Sequence, residues 1–370
     1  MAHRLIVHVG LQKSGTTYLQ EVFAHSVAEL AAAGVVYPVA PAGHRQRGIE
    51  NHEWPTYGLL GVEYPWVTAE RAAQEHDSWK TLSQQVSAAS GTVLLSAEAL
   101  SVIRSPAIRL FLDRLRVDDV EVVVTARSLR RSLPSLWQQH VRNGRLMGFD
   151  RYLEMLDRER RLSAERIEED RDLHLWRAFA IGRLVRRWAA EVGVSRVRVV
   201  TSPGAPPRLL WSRFAEAIGV PALADLPPSE VLSRRVHTGL TAPEAVVLAS
   251  VNAALERADW DVRSARRLRE LILNEGFSQR DDRGPKIALP PRWSAQVAQW
   301  SAEDLTDLRQ TGVTVIGDLD DLSSDPDDGD HRSPMPEEIG AAGAAAVLAA
   351  ASKVPPAPSR PEKPRRRIRA

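Results

Sequence analysis

The chain of 370 residues contains no cysteine. That excludes disulfides, thiolate metal sites and a thiol nucleophile. It also lacks a long apolar segment near its start, so nothing in it predicts secretion or a membrane anchor. The alanine-rich run Ala341–Ala351 is too short and too weakly apolar to span a bilayer. These absences suit a reducing cytoplasm, and a cytoplasmic location is the expectation. A large excess of charge is missing too: the formal net charge is +2, which gives no bulk case for nucleic acid. No internal repeat is evident. What is present, 44% apolar and 26% charged residues, is ordinary for a soluble globular chain. The length allows one elaborated α/β domain or two smaller ones.

The most informative stretch is Arg4 to Gln20, RLIVHVGLQKSGTTYLQ. Leu5, Ile6, Val7 and Val9 run into Gly10, Lys13-Ser14-Gly15-Thr16-Thr17 follows, and apolar residues resume at helical spacing through Tyr18, Leu19, Val22 and Phe23. The pattern predicts buried strand, tight loop, helix. Such a loop gathers backbone N–H groups and a helix N-terminus around one point, which suits phosphate or sulfate. Lys13 adds a cation, and Thr16 and Thr17 add hydroxyl donors. A Walker loop places lysine directly after its second glycine. Here Gly10 and Gly15 keep the spacing, Thr16 takes the lysine position, and the lysine stands at 13. The plain alternative is a strand–helix turn with a surface lysine.

Strands are expected at Gly34–Pro38, Thr92–Glu98, Val120–Arg127, Val197–Thr201 and Val313–Ile316, the last at a sheet edge, with helical patterns between them. Residues 40–66 have no clean period and read as one long loop containing His52, a candidate base or a surface histidine beside Trp54. Glu98 falls just past a strand end, where ligands collect in open α/β sheets. It is a candidate base if burial raises its pKa, and otherwise a loop carboxylate. Helices are expected at Thr68–Ala89, Ser105–Val117 and Leu173–Val192, the last with Trp176, Phe179, Leu184 and Trp188 inward. Ser163–Asp172 reads as a solvated charged stretch. Later helices are expected at Ala242–Arg257, Val262–Leu273 and Ser294–Thr311. The strand Val120–Arg127 ends in arginine and not in the acid that a Walker B strand gives to magnesium. Ser135 follows eight residues on, in a helix expected to hold Pro134 in its first turn, so guanidinium and hydroxyl are able to meet at one anion. From about Asp318 the chain turns acidic, then Ala-, Pro- and Arg-rich, and a folded domain over 1–317 with a disordered tail over 318–370 is expected.

Two of these stretches together carry a resemblance. KSGTTY resembles the 5′-phosphosulfate loop, and VVVTARSLRRSLPSLW the 3′-phosphate segment, of sulfotransferases that use 3′-phosphoadenylyl sulfate (PAPS). The resemblance spans roughly residues 4–145. It implies a P-loop NTPase-like three-layer α/β fold with a central, mostly parallel sheet flanked by helices. It further implies a sulfotransferase of the EC 2.8.2 type, moving a sulfuryl group from PAPS to a hydroxyl or amine acceptor and releasing 3′,5′-ADP. Lys13 would stabilise the leaving group. Ser14, Gly15, Thr16 and Thr17 would bind the 5′-phosphosulfate, and Tyr18 stands where the family packs an aromatic on adenine. Arg127 and Ser135 would take the 3′-phosphate. A late Arg-Lys-Gly turn that closes over that phosphate in the family is matched only loosely by Gln279–Lys286, through Arg280, Arg283 and Gly284, where a solvated turn is the preferred reading. Cytosolic members carry a histidine where this chain has Glu98, whereas glycan-modifying relatives use glutamate, so Glu98 is the first choice of base and His52 the second. No metal is called for. The acceptor class stays open between a small molecule, a glycan and a lipid headgroup. A P-loop small-molecule kinase and a non-catalytic nucleotide-binding protein are the competing readings.

Overall fold

A computed structural model describes residues 2–39, 51–204, 206–225, 239–323 and 332–352. All six expected strands form: β1 (Ala2–Gly10), β2 (Val35–Val36), β3 (Gly91–Ser96), β4 (Val120–Ala126), β5 (Val197–Thr201) and β6 (Thr314–Ile316). They make one sheet in the order β2-β3-β1-β4-β5-β6. Every pairing is parallel, one step beyond the mostly parallel expectation. Near-continuous apolar strands are what a parallel sheet needs, because both of its faces are covered.

Alternation along the strands decides which layer each residue joins. Leu5, Val7, Val9, Leu95, Val122, Val124 and Val199 face one core, under the helices Glu53–Leu60, His76–Ala88, Ser105–Leu115, Ile181–Val192 and Pro291–Thr311. Ile6, Leu94, Val123, Val200 and Ile316 face the other, under Thr16–His25 and Pro207–Ala217. The result is a three-layer α/β fold. Trp176, Phe179, Leu184 and Trp188 are buried in the first core as expected. From β1 the chain moves to one side of the sheet, and after β3 it crosses to the other. The crevice beyond the carboxyl ends of β1, β3 and β4 is therefore the switch point at which such sheets bind ligands.

Several local expectations are corrected. Part of the expected 40–66 loop is the helix Glu53–Leu60; residues 40–50 lie outside the described ones. The charged stretch 163–172 holds a short helix, Ala164–Glu169, because Ser163 caps it and Ile167 is buried. Leu173–Val192 breaks at Ala180 into two helices. Pro134 sits in the second turn of the helix Leu129–Arg142, since Ser128 O already accepts from the N–H groups of Arg131 and Ser132 and starts the helix early.

The chain divides into two compact units. The first, residues 1–137, 147–239 and 288–331, contains the sheet; the second comprises 138–146, 240–287 and 332–370. The second includes Pro336–Ala351, a helix where a disordered tail was expected. Alanine has the highest helix propensity, proline is tolerated in the first turn, and Ala342, Ala346 and Ala349 bury one face. Glu338 accepts from Met335 N at 2.7 Å and pairs with Arg332. The remainder of the expected tail, 324–331 and 353–370, lies outside the described residues. No helix among the described residues is long and apolar enough to cross a membrane.

Two buried arginines brace the first unit. Arg177, fully buried, donates to the carbonyls of Val102 (2.9 Å), Ile167 (2.9 Å), Asp170 and Arg171 (3.0 Å). Arg187 donates to Ser101 O (3.0 Å) and Arg177 O (2.9 Å) and pairs with Glu168. Burial lowers the Arg177 pKa to about 10, so it stays charged at neutral pH. Arg177→Met should therefore cost on the order of 3 kcal/mol, because several carbonyls lose a charged donor at once. Urea unfolding followed by tryptophan fluorescence would measure it, and a loss below about 1 kcal/mol would show that the carbonyls find other partners.

Candidate active site

The loop after β1 is tied to the sheet by a chain of buried polar groups. Gln20 Nε2 donates to Ser96 Oγ (3.1 Å), and Ser96 Oγ contacts His8 Nδ1 (2.8 Å). His8 Nε2 contacts Thr125 Oγ1 (3.1 Å), which contacts Ser14 Oγ (2.7 Å), and Ser14 Oγ donates to Leu11 O (2.7 Å). One proton arrangement satisfies the chain throughout, each member donating to the next, with His8 neutral and its proton on Nε2. Burial lowers the His8 pKa to about 3, which keeps the ring uncharged. Ser14 was expected among the anion contacts. Its hydroxyl instead points inward, and its N–H donates to Leu11 O (3.2 Å), so Ser14 fastens the loop.

Gly15 then turns the chain into the helix Thr16–His25 with φ of 100°, a left-handed conformation that costs glycine least. Lys13 also lies in the left-handed region, with φ of 68°. For a lysine that costs about 1 kcal/mol, and it persists only where surrounding contacts enforce it. One such contact is Arg127 Nη1, which donates to Lys13 O at 3.2 Å. Leu19 N–H is the helix's first donor to close a bond onto Gly15 O (3.1 Å). The N–H groups before it belong to the first turn, which has no intrahelical acceptors.

Glu98 opens the turn Glu98–Ser101 directly after β3, and that turn is held from several sides. Glu53 Oε1 accepts from Ala99 N (2.8 Å), while Arg187 and Arg177 hold Ser101 O and Val102 O. The Glu98 carboxylate accepts from the Thr16 hydroxyl. Its pKa is raised above the ordinary carboxylate value, first by burial, against the opposing pull of the Thr16 hydroxyl and the nearby Lys13 ammonium. Lys13, Thr16 and Glu98 thus meet at the crevice where three strands end.

His52 does not join them as a base. Its Nε2 contacts Pro38 O (2.8 Å) and its Nδ1 accepts from Ser96 N (2.9 Å), so both nitrogens serve main-chain groups. Burial lowers its pKa to about 4. The ring holds the segment before Glu53 against β3.

Arg127 follows β4 directly and is half-buried, with its Nε buried and unpartnered. Its pKa is held below the usual range by burial and then by Arg131, whose Nη1 donates to Pro203 O (2.6 Å) in the loop after β5. Two adjacent guanidiniums repel unless an anion lies between them. Ser135 is partly exposed in the second turn of its helix, on the same face as Ser128 and Ser132, which precede it by seven and three residues. Ser132 Oγ is buried and has no hydrogen-bond partner. Arg131 and Ser132 went unnoticed in the sequence; the serine spacing was the signal available. Thr17 is exposed at the helix start, and the Tyr18 ring packs against the second core with its hydroxyl unpartnered. Arg283 belongs to the second unit, where it and Arg280 pair with the fully buried Glu244 (2.6 Å and 3.4 Å). Glu244 also caps the helix Ala242–Arg257 by accepting from Thr241 N, so Arg283 has a structural task there.

No family model matches the chain, and no curated protein matches it in sequence. Among solved structures it is similar to the crystal structure of a sulfotransferase from Alicyclobacillus acidocaldarius, at 15% identity and a TM-score of 0.42, over 72% of this chain and 100% of that one.

The closeness of loop and strand gives a direct test. A Cβ on Gly10 would lie 1.8 Å from Thr16 Cγ2, so Gly10→Ala must push Thr16 off Glu98. Overpacking of this kind costs about 1–3 kcal/mol. Gly148 has open space around it but caps the helix Phe149–Arg160, so Gly148→Ala should lose only the N-cap difference, below about 1 kcal/mol, in the same urea titration. Equal stability of the two variants would contradict the packing described.

Proposed function

We propose that the protein is a PAPS-dependent sulfotransferase that sulfates a hydroxyl or amine of a small-molecule, glycan or lipid-headgroup acceptor. The observation that carries the reading is the meeting of Lys13, Thr16 and Glu98 at the helix N-terminus, with Arg127 fastened to the same loop. The residues fit an anionic nucleotide: Arg127 Nε is buried without a partner and has Arg131 beside it. PAPS would bring a sulfuryl group on a phosphoanhydride, which leaves 3′,5′-ADP when transferred.

The roles follow from charge. Lys13 and the first-turn N–H groups of Thr16–His25 neutralise charge that builds on a leaving phosphate oxygen. Glu98 removes the acceptor's proton, for which a pKa raised toward neutrality is suited. Arg127, with Ser132 or Ser135, takes the 3′-phosphate through a planar fork of donors. Gly15, Thr16 and Thr17 line the 5′ side, and Tyr18 borders it. Thr16 follows Gly15 where a P-loop kinase carries the lysine that reaches the β- and γ-phosphates, so that cation is missing from its ATP position. That observation favours transfer from PAPS over transfer from ATP.

Calorimetric titration tests the reading. 3′,5′-ADP should bind more tightly than ATP and without magnesium. Arg127→Ala should weaken 3′,5′-ADP about 10-fold to 100-fold, the scale of a lost charged hydrogen bond, and leave 5′-AMP nearly unchanged. Equal weakening of both nucleotides would remove the 3′-phosphate assignment, and a magnesium-dependent preference for ATP would overturn the proposal.

A further inference from the structure

Glu53 stands beside Glu98 at the candidate site. It opens the helix Glu53–Leu60, where its own N–H donates to Asn51 Oδ1 (3.0 Å). Its carboxyl reaches across to the turn that begins with Glu98. There it accepts from Ala99 N at 2.8 Å and from the main chain of Glu98 itself. On the other side the Tyr57 hydroxyl bonds to it, and Trp66 Nε1 in turn donates to Tyr57 Oη (3.1 Å).

Glu98 lies on the turn and the Glu53 carboxyl bonds to the N–H of the next residue, Ala99, so the two repel when both are ionised. Their surroundings differ in a way that assigns the charge. Glu98 faces the Lys13 ammonium and the Thr16 hydroxyl. Glu53 faces Glu98, Tyr57 and, more distantly, Tyr64. Cations on the neighbouring elements are engaged elsewhere: Arg71 with Glu75 (2.7 Å) and over the Trp54 ring, Arg104 with Glu63 (2.6 Å).

We propose that Glu53 is a positioning residue for Glu98, the two forming a pair that holds a single negative charge on Glu98 while Glu53 fixes the turn. The proposal rests on the reading of Glu98 as the base. Glu53 acts through Glu98 and need not touch an acceptor. With the second carboxyl neutral, Glu98 meets an acceptor hydroxyl as the local anion. The direction of titration agrees: burial first and the Glu98 charge second push the Glu53 pKa up to about 8.

The test is carbon NMR of the full chain labelled at the glutamate carboxyl carbons, titrated from acid to alkaline pH. Beside the step of Glu159 near pH 7, the parent should show a carboxyl step near pH 8 that is absent in Glu53→Gln. In Glu98→Gln the same step should move down by about one pH unit or more, because the neighbouring charge is gone. A residue that merely braced the turn would keep its step when Glu98 is neutralised, so an unmoved step overturns the pair, as does Glu53 titrating in the ordinary carboxylate range. If Glu53→Gln fails to fold, the shift in Glu98→Gln decides alone. Titration with 3′,5′-ADP separates this inference from the function it rests on. Nucleotide binding without the coupled step sinks the pair alone. The coupled step without nucleotide binding sinks the sulfotransferase reading and leaves the pair.

Discussion

A hydroxyl at the start of one helix donating to a carboxylate at the end of another strand holds this site together. Thr16 belongs to the loop after β1 and Glu98 to the turn after β3, 82 residues apart. They meet because the two strands are in parallel register, Val7 beside Leu95 and His8 beside Ser96. Gly10 lets Thr16 come close, and two buried arginines with Glu53 hold the turn in place. Were the register to slip by one residue, every side chain of β3 would change faces and Glu98 would leave the crevice.

The site spends stability that the rest of the fold supplies. Lys13 is held in a backbone region unfavourable to it, Arg127 lies against Arg131, and two carboxyls meet at one turn. Each of these costs free energy, about 1 kcal/mol for the Lys13 backbone alone. They persist because the layers around them are ordinary: Val122, Val123 and Val124 are fully buried, and the polar chain from Gln20 to Leu11 leaves no member without a partner. Local conflict inside a globally consistent fold is where binding and chemistry are expected.

Much of this was legible in the sequence. The six strands could be read because a parallel strand buried on both faces is a short run of apolar, mostly β-branched residues, as in Val120–Ala126. That Glu98 and Arg127 follow strand ends and Lys13 lies in the loop after β1 could be read from the apolar runs that stop just before them. The directions of side chains were not legible. Ser14 turns inward toward Thr125, 111 residues away, and His52 is bound by Pro38 and Ser96. No local spacing encodes those partners. The helix Glu53–Leu60 was hidden by Pro55 and a run of aromatics. Pro336–Ala351 was hidden because alanine-rich sequence looks like low complexity until a packed face distinguishes it.

Incubation of the full chain with sulfur-labelled PAPS and a mixed set of hydroxyl and amine acceptors, without added divalent metal, addresses the central claim most directly. The account predicts that label leaves the donor and appears on an acceptor in step with 3′,5′-ADP. Label that stays on PAPS across the whole set, while ATP labelled in its γ-phosphate gives up its label to one of the same acceptors, would contradict it.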